Sequence, residues 1–216
     1  MNKKQFAQVL IAFGIATLFA SLVDIASALI PLHLADPNWV YITSQEIAER
    51  CIIPLLGIVF LLSGFYLSND DQENKLQLNF VKSLGLLSVV LGFILVLTTI
   101  FCTMTFSSIE NQVTQGIKDK GDNLKKQIAV SYIQQQGIKQ LSGKVVVPKQ
   151  MEKYFKQIDS KVKEDIKTTK KSLLKKNIKT ILNLLAFIFA YIYIGITTII
   201  SANIRQKQLS FKNKQQ

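Results

Sequence analysis

The chain has few of the side chains that most catalytic and metal centres need. It has one histidine, His33, and two cysteines, Cys51 and Cys102, with no CxxC spacing and no Cys/His cluster. A Ser/His/Asp set cannot be assembled around a lone His33 without nucleophilic neighbours, and zinc or dithiol redox motifs are excluded by spacing. Both cysteines lie at or within apolar runs, where a small buried thiol usually packs; a disulfide between them stays open. Gly116-Ile-Lys-Asp-Lys-Gly121 has two glycines but no closing Gly-Lys-Ser/Thr, so it is not a phosphate-binding loop. Glu164-Asp165 is the one adjacent acidic pair in the basic region, and it sits among lysines rather than in an apolar pocket. The residues therefore point to no catalytic site, no bound cofactor and no metal.

What is abundant is apolar sequence, in four long runs. Hydrophobic residues make up 49% of the chain, whereas charged residues make up 19% and crowd outside those runs. A helix needs about 20 apolar residues to cross a bilayer. Phe6 to about Leu32, Cys51 or Ile52 to Leu67, Leu84 to Phe106 and about Thr180 to Ala202 meet or approach that length. The second is short, so it draws on the segment before it. Ala12, Ala16 and Ala20 in the first run, Ser88 and Gly92 in the third, and Ala186 and Ala190 in the fourth recur every four residues, a spacing that suits close helix packing in lipid. Met1-Asn-Lys-Lys before an apolar run could open a signal peptide, but the run is too long and lacks a clear cleavage site. It is expected to be a retained span.

The fold expected is all-α: a four-helix transmembrane bundle with an extramembrane, coiled-coil-like antiparallel helical hairpin between the third and fourth spans. Residues 1–106 hold three spans with a proline- and tryptophan-bearing interfacial loop at 31–50. Residues 107–179 form the hairpin, 180–202 the last span and 203–216 a basic tail. In the hairpin, Ile109, Val113, Ile117, Leu124, Ile128 and Tyr132 mark one apolar stripe. Met151, Phe155, Ile158, Val162, Ile166, Leu173 and Ile181 mark a second at near-heptad spacing. Leu141-Ser-Gly-Lys-Val-Val-Val-Pro148 reads as the turn, and Gly116, Gly121 and Gly137 weaken the first arm by up to about 1 kcal/mol each.

Charge is concentrated beside the spans. Residues 107–179 carry seventeen lysines against seven acidic residues, a net +10 within a chain total of +12. Lys170, Lys171, Lys175, Lys176 and Lys179 immediately precede the fourth span. Anionic headgroups are already next to such a cluster, so membrane lipid or a partner protein of a larger complex, not nucleic acid, is the expected contact. The hairpin seam could close on itself, zip to a second copy as a homo-oligomer, or serve as a solvated stalk. The short connecting segments favour both termini in the cytoplasm, since basic residues collect there, although the lysines before the fourth span argue the other way.

Within the first span Asp24 is the one ionisable residue, and an ionisable residue inside a span is a functional candidate by default. Arg50, at the start of the second span, is its candidate partner. Pro31, Pro37, Trp39, Pro54 and Gly57 punctuate the segment between them. Asp36-Pro37-Asn38 reads as a turn, Thr43 with Glu46 has capping-box spacing, and Trp39 and Tyr41 suit headgroup level.

The segment Ala28-Leu-Ile-Pro-Leu-His-Leu-Ala-Asp-Pro-Asn-Trp39, followed by Ile52-Ile-Pro-Leu-Leu-Gly57, resembles the HpsJ-like family of cyanobacterial membrane proteins. The likeness rests on a P-L-x-L-x-x-P-x-W loop and I-P-L-x-G opening the second span, about the first third of the chain. It implies a four-span, non-enzymatic accessory or scaffold protein, in plasma or thylakoid membrane, associated with hormogonium polysaccharide biosynthesis or secretion. Two other roles fit the same layout: an assembly or stabilising factor for a thylakoid photosynthetic complex, and a small transporter subunit using Asp24.

Overall fold

The computed structural model describes residues 2–68, 75–136 and 149–212, and among these there is helix and no strand. The elements are α1 (Lys3–Ala28), α2 (Pro37–Arg50), α3 (Ile52–Ser68), α4 (Lys75–Gln136) and α5 (Lys149–Lys212). The turn expected at 141–148, together with Gly137 and the connection at 69–74, lies outside the described residues. Among the described residues, four stretches are long and apolar enough to cross a membrane: α1, Pro37–Ser68, and runs inside α4 and α5. The chain divides into two compact units, residues 1–105 with 179–216, and residues 106–178.

In the first unit, α1 packs antiparallel on α3 through glycine. A Cβ on Gly14 would lie 2.8 Å from the Leu61 nitrogen, one on Gly57 2.9 Å from the Leu18 nitrogen, and one on Gly64 3.0 Å from the Ala7 carbonyl. Lipid offers no hydrophobic drive for helices to associate, so backbones that touch over small residues provide the attraction. Ala12, Ala16 and Ala20 were the expected contact face, yet they are exposed. The packed face instead carries Ala7, Gly14 and Ser21, one residue per two turns. α4 meets α5 in the same way: a Cβ on Gly195 would come within 2.7 Å of the Gly85 carbonyl. Ser88, fully buried, donates 2.7 Å to the Tyr191 carbonyl. Ala186 is exposed, and the small residue that matters on α5 is Gly195.

Local chemistry explains the break between α2 and α3. Asp36 caps α2, its carboxylate accepting from the Asn38 N–H at 2.9 Å, and Pro37 occupies the first helical position, where its missing N–H costs nothing. What reads in sequence as a turn at Asp36-Pro37-Asn38 followed by a cap at Thr43 is thus a single helix start, with Thr43 buried in the helix interior. The helix stops at Cys51 because Pro54 has no N–H to give the Arg50 carbonyl and its ring crowds that carbonyl. α3 restarts at Ile52. The Ile30–Pro31 peptide bond, in the segment between α1 and α2, is cis.

The second unit consists of the α4 and α5 residues between 106 and 178. Cross-contacts pair Glu110 with Lys170, Gly121 with Val162 and Lys125 with Asp159, so the pairing is antiparallel. Ile109 and Met151 are buried, and Val113, Ile117, Phe155, Ile158, Val162 and Ile166 are partly covered. Leu124 departs from the expected stripe. It is half exposed, and Gly121 sits in the seam in its place, with the Val162 side chain filling the space a Cβ would take.

Candidate functional site

Two of the sequence-selected residues, Asp24 and Arg50, meet where α1, α2 and α3 come together. Arg50 Nη1 donates to the Asp24 carboxylate at 2.8 Å and to the Asp24 backbone carbonyl at 3.3 Å. Its Nη2 lies 3.6 Å from Glu46, one turn earlier on α2. Arg50 ends α2, where a cation also meets the unsatisfied carbonyls of the last turn. The guanidinium thus holds α1 to the α2–α3 break through a charge-assisted contact that a lipid surrounding strengthens. Ser27 donates to the same Asp24 carbonyl at 2.7 Å.

A residue that sequence reasoning passed over completes the junction. Tyr191 on α5 is 1% exposed, and its hydroxyl donates to the Cys51 carbonyl at 2.7 Å. Cys51 is the hinge residue between α2 and α3, so one buried phenol ties α5 to the break. A tyrosine among apolar neighbours in a span gives no local sign of such a bond; its partner is 140 residues away. Pro54 and Gly57, both buried, stand beside it. Cys51 and Cys102 are both buried and are not joined in a disulfide.

The remaining candidates are dispersed. Pro31 and His33 are exposed; His33 Nδ1 lies 3.0 Å from the Pro31 carbonyl, and its ring is 6.4 Å from that of Trp39. Pro37 and Trp39 are partly covered. On α5, Lys171, Lys175 and Lys179 are exposed at four-residue spacing and so share a face, while Lys170 is engaged with Glu110 at 2.8 Å. Lys176 is exposed as well. Among the described residues no group of three or more His, Cys, Asp or Glu side chains is arranged to hold a metal ion.

Next to the junction lies an apolar cleft of about 390 Å³, lined by residues of α1, α2 and α4 together with Pro54 and Tyr191. At the opposite end of the bundle, Lys82 donates to Gln206 at 2.8 Å and Arg205 stacks 4.6 Å over Tyr66.

Four helices able to cross a membrane, packed through glycine with sparse polar ties, define an all-helical membrane protein. The chain belongs to the HpsJ-like protein family, whose family model matches residues 5–161. That match runs well past the proline–tryptophan segment, through α4 and into the first part of α5. No curated protein and no solved structure matches the chain.

Proposed function

We propose that the protein is a non-enzymatic accessory or scaffold subunit of a larger membrane assembly, with polysaccharide biosynthesis or export as its setting. In this reading the first unit is an anchor, and residues 106–178 form a self-closed helical hairpin of coiled-coil type that presents lysines to anionic lipid or a partner protein. The observation that carries it is the distribution of ion pairing. The intramembrane charge at Asp24 is tied to Arg50, while Lys171, Lys175 and Lys179 stand on one exposed face. A structural ion pair at a helix junction and an accessible basic face suit holding and docking. They do not suit proton or ion movement, which needs a carboxylate that can exchange its partner. The bias of basic residues in the short segments supports a cytoplasmic position for both termini.

Co-purification from native membranes tests the proposal. Components of glycan polymerisation or export should dominate, and their recovery should fall when Lys171, Lys175 and Lys179 are together changed to Gln. Recovery of photosynthetic subunits instead would move the protein to the assembly-factor role. Asp24→Asn should lower the amount of folded protein and leave function per molecule intact. Loss of function at unchanged abundance would favour the transporter subunit.

A further inference from the structure

The cleft in the first unit has the dimensions and lining of a lipid-tail site. Leu22 and Ala26 of α1 form one wall, Ile94 and Phe101 of α4 the other, and Trp39 of α2 stands at one end. The Ser44 and Thr98 hydroxyls that border it donate within their own helices, to the Val40 carbonyl at 2.7 Å and the Ile94 carbonyl at 2.9 Å. With these two hydroxyls committed within their own helices, the lining they border is chiefly apolar side chains.

The cleft follows α4 from Leu91 to Phe101. At about 1.5 Å of rise per residue this is about 15 Å, half of a hydrocarbon core about 30 Å thick. One leaflet is that deep. Trp39 is the third residue of α2, which follows a 29–36 segment whose His33 and Asp36 are exposed, and this sets that end of the cleft at headgroup level. Spread over such a length, about 390 Å³ gives a bore narrower than a helix with its side chains, which is about 10–12 Å across. A helix of a second copy is too wide; a hydrocarbon tail fits. Leu22, Ile94 and Phe101 are each more than a third exposed, so the cleft is open along its side.

We infer that this cleft binds an acyl tail of a membrane phospholipid from the leaflet at the Trp39 end. The site would make one lipid an integral part of the junction at which α1, α2, α4 and α5 meet.

Trp39 is the one tryptophan in the chain, so its fluorescence reports the cleft without background. The full-length protein in mild detergent is titrated with a phosphatidylcholine brominated on its acyl chain. A bound tail gives saturable quenching that unbrominated phosphatidylcholine reverses by competition. Ala26→Phe, which fills the cleft, should weaken the apparent affinity about tenfold, equivalent to about 1.4 kcal/mol. Ala12→Phe, an equal enlargement on an exposed part of α1, should leave it unchanged. If Ala26→Phe loses its helical circular dichroism, Ile94→Phe replaces it from the opposite wall. Quenching that rises only in proportion to the lipid content of the micelle, with no saturation and no competition, overturns the inference. So does saturable quenching that Ala26→Phe and Ile94→Phe both leave intact.

Discussion

The two units hold their helices together by different means. In the first, backbones approach over Gly14, Gly57, Gly64, Gly85 and Gly195, and two directed contacts are buried, Ser88 to Tyr191 and Tyr191 to Cys51, beside the partly exposed Asp24–Arg50 pair. In the second, Ile109 and Met151 are buried, one glycine sits in the seam, and the directed contacts between the helices are partly exposed ion pairs, Lys125–Asp159 and Lys170–Glu110. Water rewards burying apolar side chains and gives surface ion pairs little weight. Lipid does neither, so helix association depends on close packing and on polar groups that have nowhere else to bond. One chain carrying both patterns has segments built for two solvents.

The largest effect that could break this contrast is at Gly57. A leucine there drives its Cβ into the Leu18 backbone, which a flexible side chain cannot relieve, so we expect Gly57→Leu to destabilise the first unit by about 3 kcal/mol or more. Denaturant titration in micelles, followed by helical circular dichroism, checks it. A change under 1 kcal/mol would mean that the glycine contact is not what joins α1 to α3.

The ion pair comes next. Its side chains are 34% and 47% exposed, so the pair is discounted well below a fully buried one. Arg50→Gln should cost about 1–2 kcal/mol by leaving Asp24 without its cation. Adding Asp24→Asn should restore part of that loss, and strict additivity in the double-mutant cycle would deny the coupling. Tyr191→Phe removes only the hydroxyl from the Cys51 carbonyl. The expected loss is about 1 kcal/mol, within the range measured for hydrogen bonds between membrane helices.

For the second unit the sharper test is a pair of opposite signs. Gly116 has nothing within 4 Å of where a Cβ would be, so Gly116→Ala should raise thermal stability by up to about 1 kcal/mol, the helix-propensity gain. At Gly121 a Cβ would lie 2.5 Å from the Val162 side chain, and Gly121→Ala should give no gain or a loss. Equal gains at both would place Gly121 outside the seam.

The smallest effect is on pH dependence. Hydrogen bonding to Asp159, with the nearby acidic charges, raises the Lys125 ammonium above its ordinary 10.5. Its stabilisation is therefore complete below that value and fades as pH rises through the higher folded one. Lys156 lowers Glu152 below its ordinary 4.5, so that contribution is present above 4.5 and is lost as pH falls through the lower folded value. Glu152 is exposed and Lys125 partly so, and thermal melts should be flat between these limits as far as these pairs are concerned, with small losses outside them.

Much of the architecture is legible in sequence because it rests on local averages. Twenty apolar residues in a row mean a span regardless of neighbours, and the stripe from Val113 to Ile117 or from Phe155 to Ile166 has helical spacing that needs a cover. The junction was legible in part. Asp24 and Arg50 stand out as rare charges near apolar runs, and Pro54 and Gly57 as helix punctuation. What could not be read is register. Ala12, Ala16 and Ala20 look as fit for packing as Gly14, and only the position of Gly57 across the interface decides between them. Tyr191 and Gly195 are in the same position, since their roles depend on carbonyls more than a hundred residues away. The start of α2 was misread for a local reason: Asp36 with Pro37 at the first helical position outweighs the capping spacing of Thr43 and Glu46, which are already inside the helix.

The central claim is that one helix, α5, serves two solvents. Spin labels placed singly at Tyr154, Leu174, Phe189 and Tyr193, all exposed positions of α5, test it most directly in reconstituted vesicles. Relaxation by dissolved oxygen, which concentrates in lipid, is compared with relaxation by a water-soluble nickel chelate. The chelate should dominate at 154 and 174 and oxygen at 189 and 193, with the change near Thr180. Chelate access at 189 and 193 equal to that at 154 would contradict it.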